Sequence, residues 1–305
     1  MTASKKTAPG LCRPASSSVT RRPAYFIRLM LILFRLLSIL PLGLMQALGW
    51  MGGWLVFALS GSYRQKFLAH TRQSGLGWAK VSGAVGAAGQ LLAELPRLWF
   101  GSAPAVQWRG SDLIDAALAL NKGIIFLTPH LGCFEVTAQA YAHRYGQQGH
   151  PMTVLFRPPR KAWLHELVTS ARARPGLLTA PTSLGGVKQM IKALRKGDCV
   201  GLLPDQVPPQ GQGIWAPFFG RNAYTMTLSV RLAQQTNAAV LIAWGERLTR
   251  GRGFRVHVQP LSSALPNDLG AAVAAINRTM EDLIEQCPGQ YLWGYARYKN
   301  PRQDG

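Results

Sequence analysis

Apolar positions change their spacing along this chain, and the changes divide it. From Tyr25 to Ser60 they are nearly continuous. No charged residue falls between Arg35 and Arg64, a stretch of 28 residues that is long enough to cross a bilayer. Pro41, Gly43, Gly49, Gly52 and Gly53 interrupt that run, which equally suits a broken helix lying in the membrane interface. From Val85 onward short apolar runs without a helical period alternate with segments that carry one. Predicted helices cover Gly86 to Phe100, Ser111 to Gly123, Val136 to Tyr145, Lys161 to Arg174, Leu184 to Lys196, Thr225 to Thr236 and Asp268 to Cys287. Predicted strands cover Val106 to Trp108, Gly123 to Thr128, Thr153 to Phe156, Leu177 to Ala180, Cys199 to Leu203, Ala239 to Trp244 and Phe254 to Gln259. Pro208 to Asn222, rich in Gly and Pro, reads as a loop. Strands alternating with helices predict an α/β fold: a layered α-β-α domain with a largely parallel sheet, preceded by the membrane-associated helical segment.

Three regions follow. Residues 1–24 form a polar, basic tail without the pattern of a packed element. Residues 25–60 are the anchor, spanning or interfacial, and residues 61–305 are the catalytic domain. Lys and Arg flank the apolar run on both sides, so the distribution of positive charge does not orient it. The run is too long for a signal peptide and lacks a convincing small-residue cleavage site.

Charge sharpens the picture. There are 34 Lys+Arg against 13 Asp+Glu, a formal net charge of +21. Such a chain seeks an anionic partner, whether membrane headgroups, nucleic acid or an acidic protein or substrate. Cys12, Cys133, Cys199 and Cys287 lie far apart with no C-x-x-C, which argues against a zinc site or a disulfide framework.

The candidate chemistry sits at the end of the strand predicted at Gly123 to Thr128. Pro129 and His130 follow it, and Glu135 comes five residues after the histidine. On one continuous helix, residues five apart lie about 140° apart around the axis. With His130 on the turn and Glu135 in the first turns of the next helix, the carboxylate can reach back to the ring. A helix N-terminus favours its charged form. Glu135 is therefore expected to orient the imidazole, and His130 to act as general base toward a hydroxyl. The alternative is a histidine that merely caps the helix beside an ordinary first-turn acid. Cys133 is conceivable as a nucleophile, though a direct base is more economical.

His130-Leu131-Gly132-Cys133-Phe134-Glu135 after an apolar strand resembles the H-x4-D/E box of the glycerolipid acyltransferase superfamily. Its H-x-G-x-x-E form resembles the lipid A biosynthesis acyltransferases of Gram-negative bacteria. Phe156-Arg157-Pro158, with Arg172 and Arg174 downstream, is similar to that family's second block, whose arginine binds a donor or acceptor phosphate. Ser183 to Gly186 with Leu203-Pro204-Asp205-Gln206 resembles its third block, Pro217 to Gly220 its substrate-side loop, and Tyr291 to Lys299 its C-terminal signature. Two departures stand out. Cys133-Phe134 replaces the usual Asn-Trp, and the usual Arg-Asn-Leu stretch is unclear between Arg64 and Gly75.

The resemblance implies transfer of an acyl chain from acyl carrier protein to a hydroxyl of a lipid A precursor. It implies no metal, no tightly bound cofactor and no nucleic acid, and a place at the bacterial inner membrane with the catalytic domain facing the cytoplasm. The second reading among enzymes is acylation of glycerol phosphate or another lysolipid. A reading of another class is a basic nucleic-acid-binding or scaffold protein on a membrane. His130, Arg157 and Asp205 each fall just past a predicted strand end, where parallel sheets bind ligands. Arg157 can hold a phosphate or the developing oxyanion, and Arg172 and Arg221 are either further phosphate contacts or plain solvated surface. Asp205 either orients a polar group of a substrate or caps the turn after it. Lys188, Lys192 and Arg195 share one helical face, suited to an acidic carrier protein or to plain solvation. No G-x-S-x-G elbow and no P-loop occurs. His257, between Val256 and Val258 on a predicted strand, reads as structural.

Overall fold

A computed structural model describes residues 22–156, 168 and 174–303. Arg157, Arg172, most of the predicted helix from Lys161 to Arg174 and most of the basic tail lie outside the described residues.

Seven strands make one mixed sheet: β1 (Val106–Arg109), β2 (Ile124–Leu127), β3 (Met152–Phe156), β4 (Leu177–Pro181), β5 (Cys199–Leu202), β8 (Ala239–Arg247) and β9 (Phe254–Pro260). Their order is β1-β9-β8-β2-β5-β3-β4. Every neighbouring pair is parallel except β8 and β9, which form an antiparallel pair. The sheet is buried on both faces, as parallel strands require. Along β2, Ile125 and Leu127 enter one core and Ile124 and Phe126 the other. This explains why the central strand is apolar throughout rather than alternating. The first core holds Met190 and Leu194 of α9 (Leu184–Arg195), Val230 of α10 (Leu228–Thr236) and Ile276, Met280 and Ile284 of α11 (Leu269–Gln286). The second holds Ile114 of α7 (Asp112–Ala119) and Val136 and Tyr141 of α8 (Phe134–Arg144). Layers of helix, sheet and helix result.

The apolar run forms two helices, α1 (Arg22–Leu37) and α2 (Leu42–Leu59), broken just before Pro41, whose ring would have cost an intrahelical hydrogen bond; this is the broken form that the sequence allowed. Two sequence expectations need correction. The helix expected over Gly86 to Phe100 is split into α5 (Gly83–Ala93) and α6 (Leu95–Phe100), with Pro96 in the first turn of α6. The loop expected over Pro208 to Asn222 contains a β-hairpin of β6 (Gly213–Phe218) and β7 (Arg221–Met226), so the next helix starts at Leu228 rather than Thr225.

Helix α2 is, among the described residues, the one long and apolar enough to cross a membrane. It nevertheless packs on the rest of the chain along its whole length. Gly49 and Gly53 face Gln90, Val85 and Gly86 of α5 so closely that a Cβ on either would meet backbone. Gln46 donates to the buried Glu94 at 2.9 Å, and Glu94 receives Arg247 Nε of β8 at 2.8 and 2.9 Å. Trp54 and Phe57 stack around Trp78 of α4 (Trp78–Val81) and Phe67 of α3 (Gly61–Gln73). The opposite face of α2, Leu44, Leu48, Met51, Leu55 and Leu59, is exposed, and so are Ile32, Leu33 and Leu36 of α1.

Candidate active site

Strands β2 and β5 are parallel neighbours, with Leu127 opposite Leu202. Beyond them the pairing continues through Thr128, whose N–H donates to Leu202 O at 2.9 Å. His130 lies three residues after Leu127 and Asp205 three after Leu202, so equal offsets bring the two side by side at the carboxyl edge of the sheet. His130 Nδ1 is 2.7 Å from Asp205 Oδ1, and the His130 backbone N–H donates to Asp205 Oδ2 at 2.8 Å. One carboxylate thus fixes both the main chain and the ring.

Gly132 makes the loop between His130 and α8 possible. Its φ is +61°, and a Cβ there would collide with the Gly245 carbonyl oxygen. Gly132 N–H donates to Gln290 O at 3.0 Å and Cys133 N–H to Gly245 O at 2.7 Å, so the turn is stitched to β8 and to the C-terminal segment. From the other side Leu292 N–H donates to His130 O at 3.1 Å. The C-terminal residues Tyr291 to Trp293 therefore buttress the histidine loop.

Asp205 is 2% exposed and the His130 side chain 13%. Burial alone would raise the Asp205 carboxyl. The His130 charge, its two hydrogen bonds and the nearby Arg297 guanidinium instead hold it below the ordinary carboxylate value. Arg297 is itself buried, donating to Tyr224 O at 2.7 Å and Thr225 Oγ1 at 2.6 Å, with its guanidinium 5.0 Å over the Phe218 ring. An ionised Asp205 beside Nδ1 makes that nitrogen the protonated one. The lone pair then sits on Nε2, where the Gln206 amide nitrogen lies 2.9 Å away. Phe134 meets the ring edge-on at 4.9 Å.

The site residues expected from the sequence are distributed as follows. Glu135 is in the first turn of α8, as expected, and is buried. Its carboxylate accepts from Trp99 Nε1 of α6 at 3.4 Å and lies in the field of Arg174, whose guanidinium donates to the Leu98 and Trp99 carbonyls. The carboxylate hydrogen-bonded to the His130 ring is that of Asp205. Arg221 is exposed on the β6–β7 hairpin with its guanidinium 4.9 Å over the Tyr298 ring. Arg157 and Arg172 lie outside the described residues. Burial, reinforced by the Glu94 charge, pushes the Cys133 thiol well up, so it stays protonated and is no nucleophile. Lys188, Lys192, Arg195 and Lys196 line a shallow cleft with Ile191 and Gln235. Helix α9 returns from the carboxyl end of β4 to the amino end of β5, so Lys192 to Lys196 approach the sheet edge opposite His130.

Gln206, Tyr291 and Arg297 were not assigned roles from the sequence. The signal for two of them was present: a Tyr and an Arg within a short aromatic C-terminal segment following a helix.

A sequence profile of the bacterial lipid A biosynthesis acyltransferases matches residues 81–300. The lipid A biosynthesis palmitoleoyltransferase of Escherichia coli (strain K12) is 27% identical over 216 residues, 69% of this chain and 68% of that protein. The lipid A biosynthesis lauroyltransferase of the same organism is 28% identical over 192 residues, 62% of this chain and 60% of that protein. A phosphatidylinositol mannoside acyltransferase of Mycobacterium tuberculosis (strain CDC 1551 / Oshkosh) is 27% identical over 183 residues, 58% of this chain and 54% of that protein. With the profile spanning the sheet, the histidine loop and the C-terminal buttress together, this chain belongs to the bacterial lipid A biosynthesis acyltransferase family.

Proposed function

We propose that this acyltransferase moves a fatty acyl chain from an acyl carrier protein thioester to a hydroxyl of a lipid A precursor, with His130 as general base. The observation that carries the mechanism is the His130–Asp205 pair at the carboxyl edge of β2 and β5. Asp205 on Nδ1 holds the tautomer whose Nε2 can accept a proton, and it stabilises the imidazolium that forms. The acceptor oxygen attacks the thioester carbon, His130 takes the hydroxyl proton, the C–S bond breaks and the proton passes to the departing sulfur. Glu135 assists from the start of α8, as a second anion behind the loop that carries the base. Arg157, Arg172 and Arg221 are the proposed contacts to phosphates or oxyanion, because a guanidinium fork matches phosphate oxygens. No step of this chemistry calls for a metal or a cofactor.

The acceptor assignment draws on the relatives. Most of those named act in lipid A biosynthesis, whereas one acts on a phosphatidylinositol mannoside, so membership of the family does not by itself fix the acceptor. The alternative, acylation of glycerol phosphate or another lysolipid, is distinguished by giving purified protein the same thioester and competing acceptors. His130→Ala protein that remains folded is expected to lose at least about a hundredfold in turnover, the usual worth of a general base. Near-normal transfer by that variant would refute the mechanism.

The same proposal extends to the membrane. We read α1 and α2 as lying in one leaflet of the inner membrane rather than crossing it, with the catalytic domain on the cytoplasmic side where a carrier protein would meet it. Support comes from α2 itself: one face is packed along its length on the domain, and the other is an exposed apolar stripe. Arg28 and Arg35 are exposed on α1 beside the equally exposed Ile32, Leu33 and Leu36, suited to anionic headgroups.

A further inference from the structure

Gln206 occupies the one direction from which His130 can take a proton. An imidazole nitrogen has a single in-plane lone pair, and on Nε2 that lone pair meets the Gln206 amide nitrogen at 2.9 Å. The other nitrogen is taken by Asp205 at 2.7 Å, and Phe134 covers the ring edge. The tautomer and the amide agree: Nδ1–H donates to a carboxylate, Nε2 is bare, and an amide N–H is the group that satisfies it. The backbone on either side of Gln206 is pinned. Asp205 is held by two hydrogen bonds from His130, and Val207 N–H donates to the Tyr295 hydroxyl at 2.9 Å. Only the half-buried side chain of Gln206, with its three rotatable bonds, is free to leave.

We infer that Gln206 is a placeholder for the acceptor hydroxyl: its amide caps the base until the acceptor arrives and displaces it, and so keeps water away from a waiting thioester. The inference rests on the reading of His130 as base. Displacement exchanges one hydrogen bond to Nε2 for another, so it opposes acceptor binding little. The reaction suppressed is hydrolysis of the donor. There a water oxygen would bond to the acyl carbon, the C–S bond would break, and His130 would carry the water proton to the sulfur, releasing free fatty acid and carrier thiol. An enzyme that can hold its donor before its acceptor arrives gains most from such a cap, because hydrolysis is the side reaction open to it.

The test uses full-length protein in detergent micelles, as wild type, Gln206→Ala and Gln206→Met. Methionine keeps the volume of the side chain and removes the hydrogen bond, so folding is preserved even if the alanine variant is unstable. Two quantities are measured without acceptor: thiol released from an acyl carrier protein thioester, and the rate at which diethyl pyrocarbonate modifies His130, followed by mass spectrometry of its peptide. Both variants should raise the modification rate about tenfold, the scale of one hydrogen bond. Both should also raise the ratio of hydrolysis to acceptor transfer by about tenfold or more. Unchanged modification and unchanged hydrolysis in both would overturn the placeholder role. So would a parallel loss of hydrolysis and transfer, which would mark Gln206 as an essential partner of the base. His130→Ala run beside them separates the two ideas. If it retains transfer, the base assignment has failed, whereas the modification rates still report whether Gln206 caps the ring.

Discussion

Replacing Asp205 with asparagine changes one oxygen to an NH2 group and leaves the shape of the side chain intact. In the structure the two carboxylate oxygens accept from two different donors, His130 backbone N–H at 2.8 Å and ring Nδ1 at 2.7 Å. Asparagine offers one acceptor where two are needed. The backbone N–H cannot change its nature, but the ring can move its proton. The amide oxygen therefore turns to the backbone, its NH2 group faces Nδ1, and the proton shifts to Nε2, where it disables the proposed base. A comparable carboxylate-to-amide change behind a catalytic histidine costs about 10⁴-fold in a serine protease. The expected loss here is about 10³–10⁴-fold in kcat, or about 4–5.5 kcal/mol of barrier. Losing a charge-assisted hydrogen bond should cost folding a further ~1.5–3 kcal/mol. The pH dependence has a definite sign. Asp205 is held below the ordinary carboxylate value, so its stabilisation is complete above pH ~4 and is lost as pH falls through its lowered folded value. Asp205→Asn should therefore lower Tm at neutral pH and flatten the fall of Tm in acid. Acyl transfer and thermal unfolding measured from pH 3 to 8 give both answers. Retention of more than about a tenth of the wild-type kcat by a folded Asp205→Asn protein would refute the tautomer argument.

Other consequences are more local. Gly132→Ala forces a Cβ at positive φ against the Gly245 carbonyl, strain of about 1–3 kcal/mol, and should displace the histidine loop; near-normal transfer with unchanged Tm would contradict this. Placing glutamate at Leu48, Met51 and Leu55 together should release the protein from anionic vesicles in a flotation assay while leaving the Gly49/Gly53 seam packed; undiminished binding would dismiss the interfacial face of α2. Arg157→Ala should cripple transfer to a lipid A precursor, and Arg172→Ala and Arg221→Ala should chiefly raise its apparent KM. Equal or faster acylation of lysophosphatidate by wild-type protein would overturn the acceptor assignment and leave the acyltransferase standing.

Much of the sheet was legible because burial on both faces leaves a mark in the sequence. Ile124 to Leu127 and Cys199 to Leu202 are apolar without a helical period, and each feeds one core with odd positions and the other with even ones. The hairpin was not legible for an equally physical reason. Gly211, Gly213, Pro217 and Gly220 signal a loop, and Pro217 argues against a central strand. A two-stranded sheet with a free edge tolerates it. The alternation that marks a strand exists only as burial, with Ala216 and Phe218 buried and Trp215 and Pro217 exposed, because Gly213 to Phe218 carries no polar residue to reveal it. The N-terminal segment was visible as an apolar run, but its packing depended on which glycines of α2 face which glycines of α5, and that pairing of distant segments cannot be read along one of them.

The partner of His130 shows the same limit at the site. Reasoning by spacing looks for a carboxylate within a turn or two of the histidine and finds Glu135, which does sit at the start of α8. The carboxylate hydrogen-bonded to the ring stands 75 residues away and is brought there by strand order: β5 lies beside β2 although β3 and β4 intervene in sequence. Hydrophobic pattern predicts that both strands exist and that both run parallel. It does not predict that they are neighbours or that Leu127 stands opposite Leu202. Once that register is known, the pairing follows from counting, because three residues past each strand end lie His130 and Asp205. In a parallel sheet, partners of a catalytic side chain are therefore best sought at equal distances past other strand ends. By that criterion Asp205 and Gln206, adjacent at the end of β5, present themselves together: the first to Nδ1 of His130, the second to Nε2, the nitrogen that accepts the proton in the proposed mechanism.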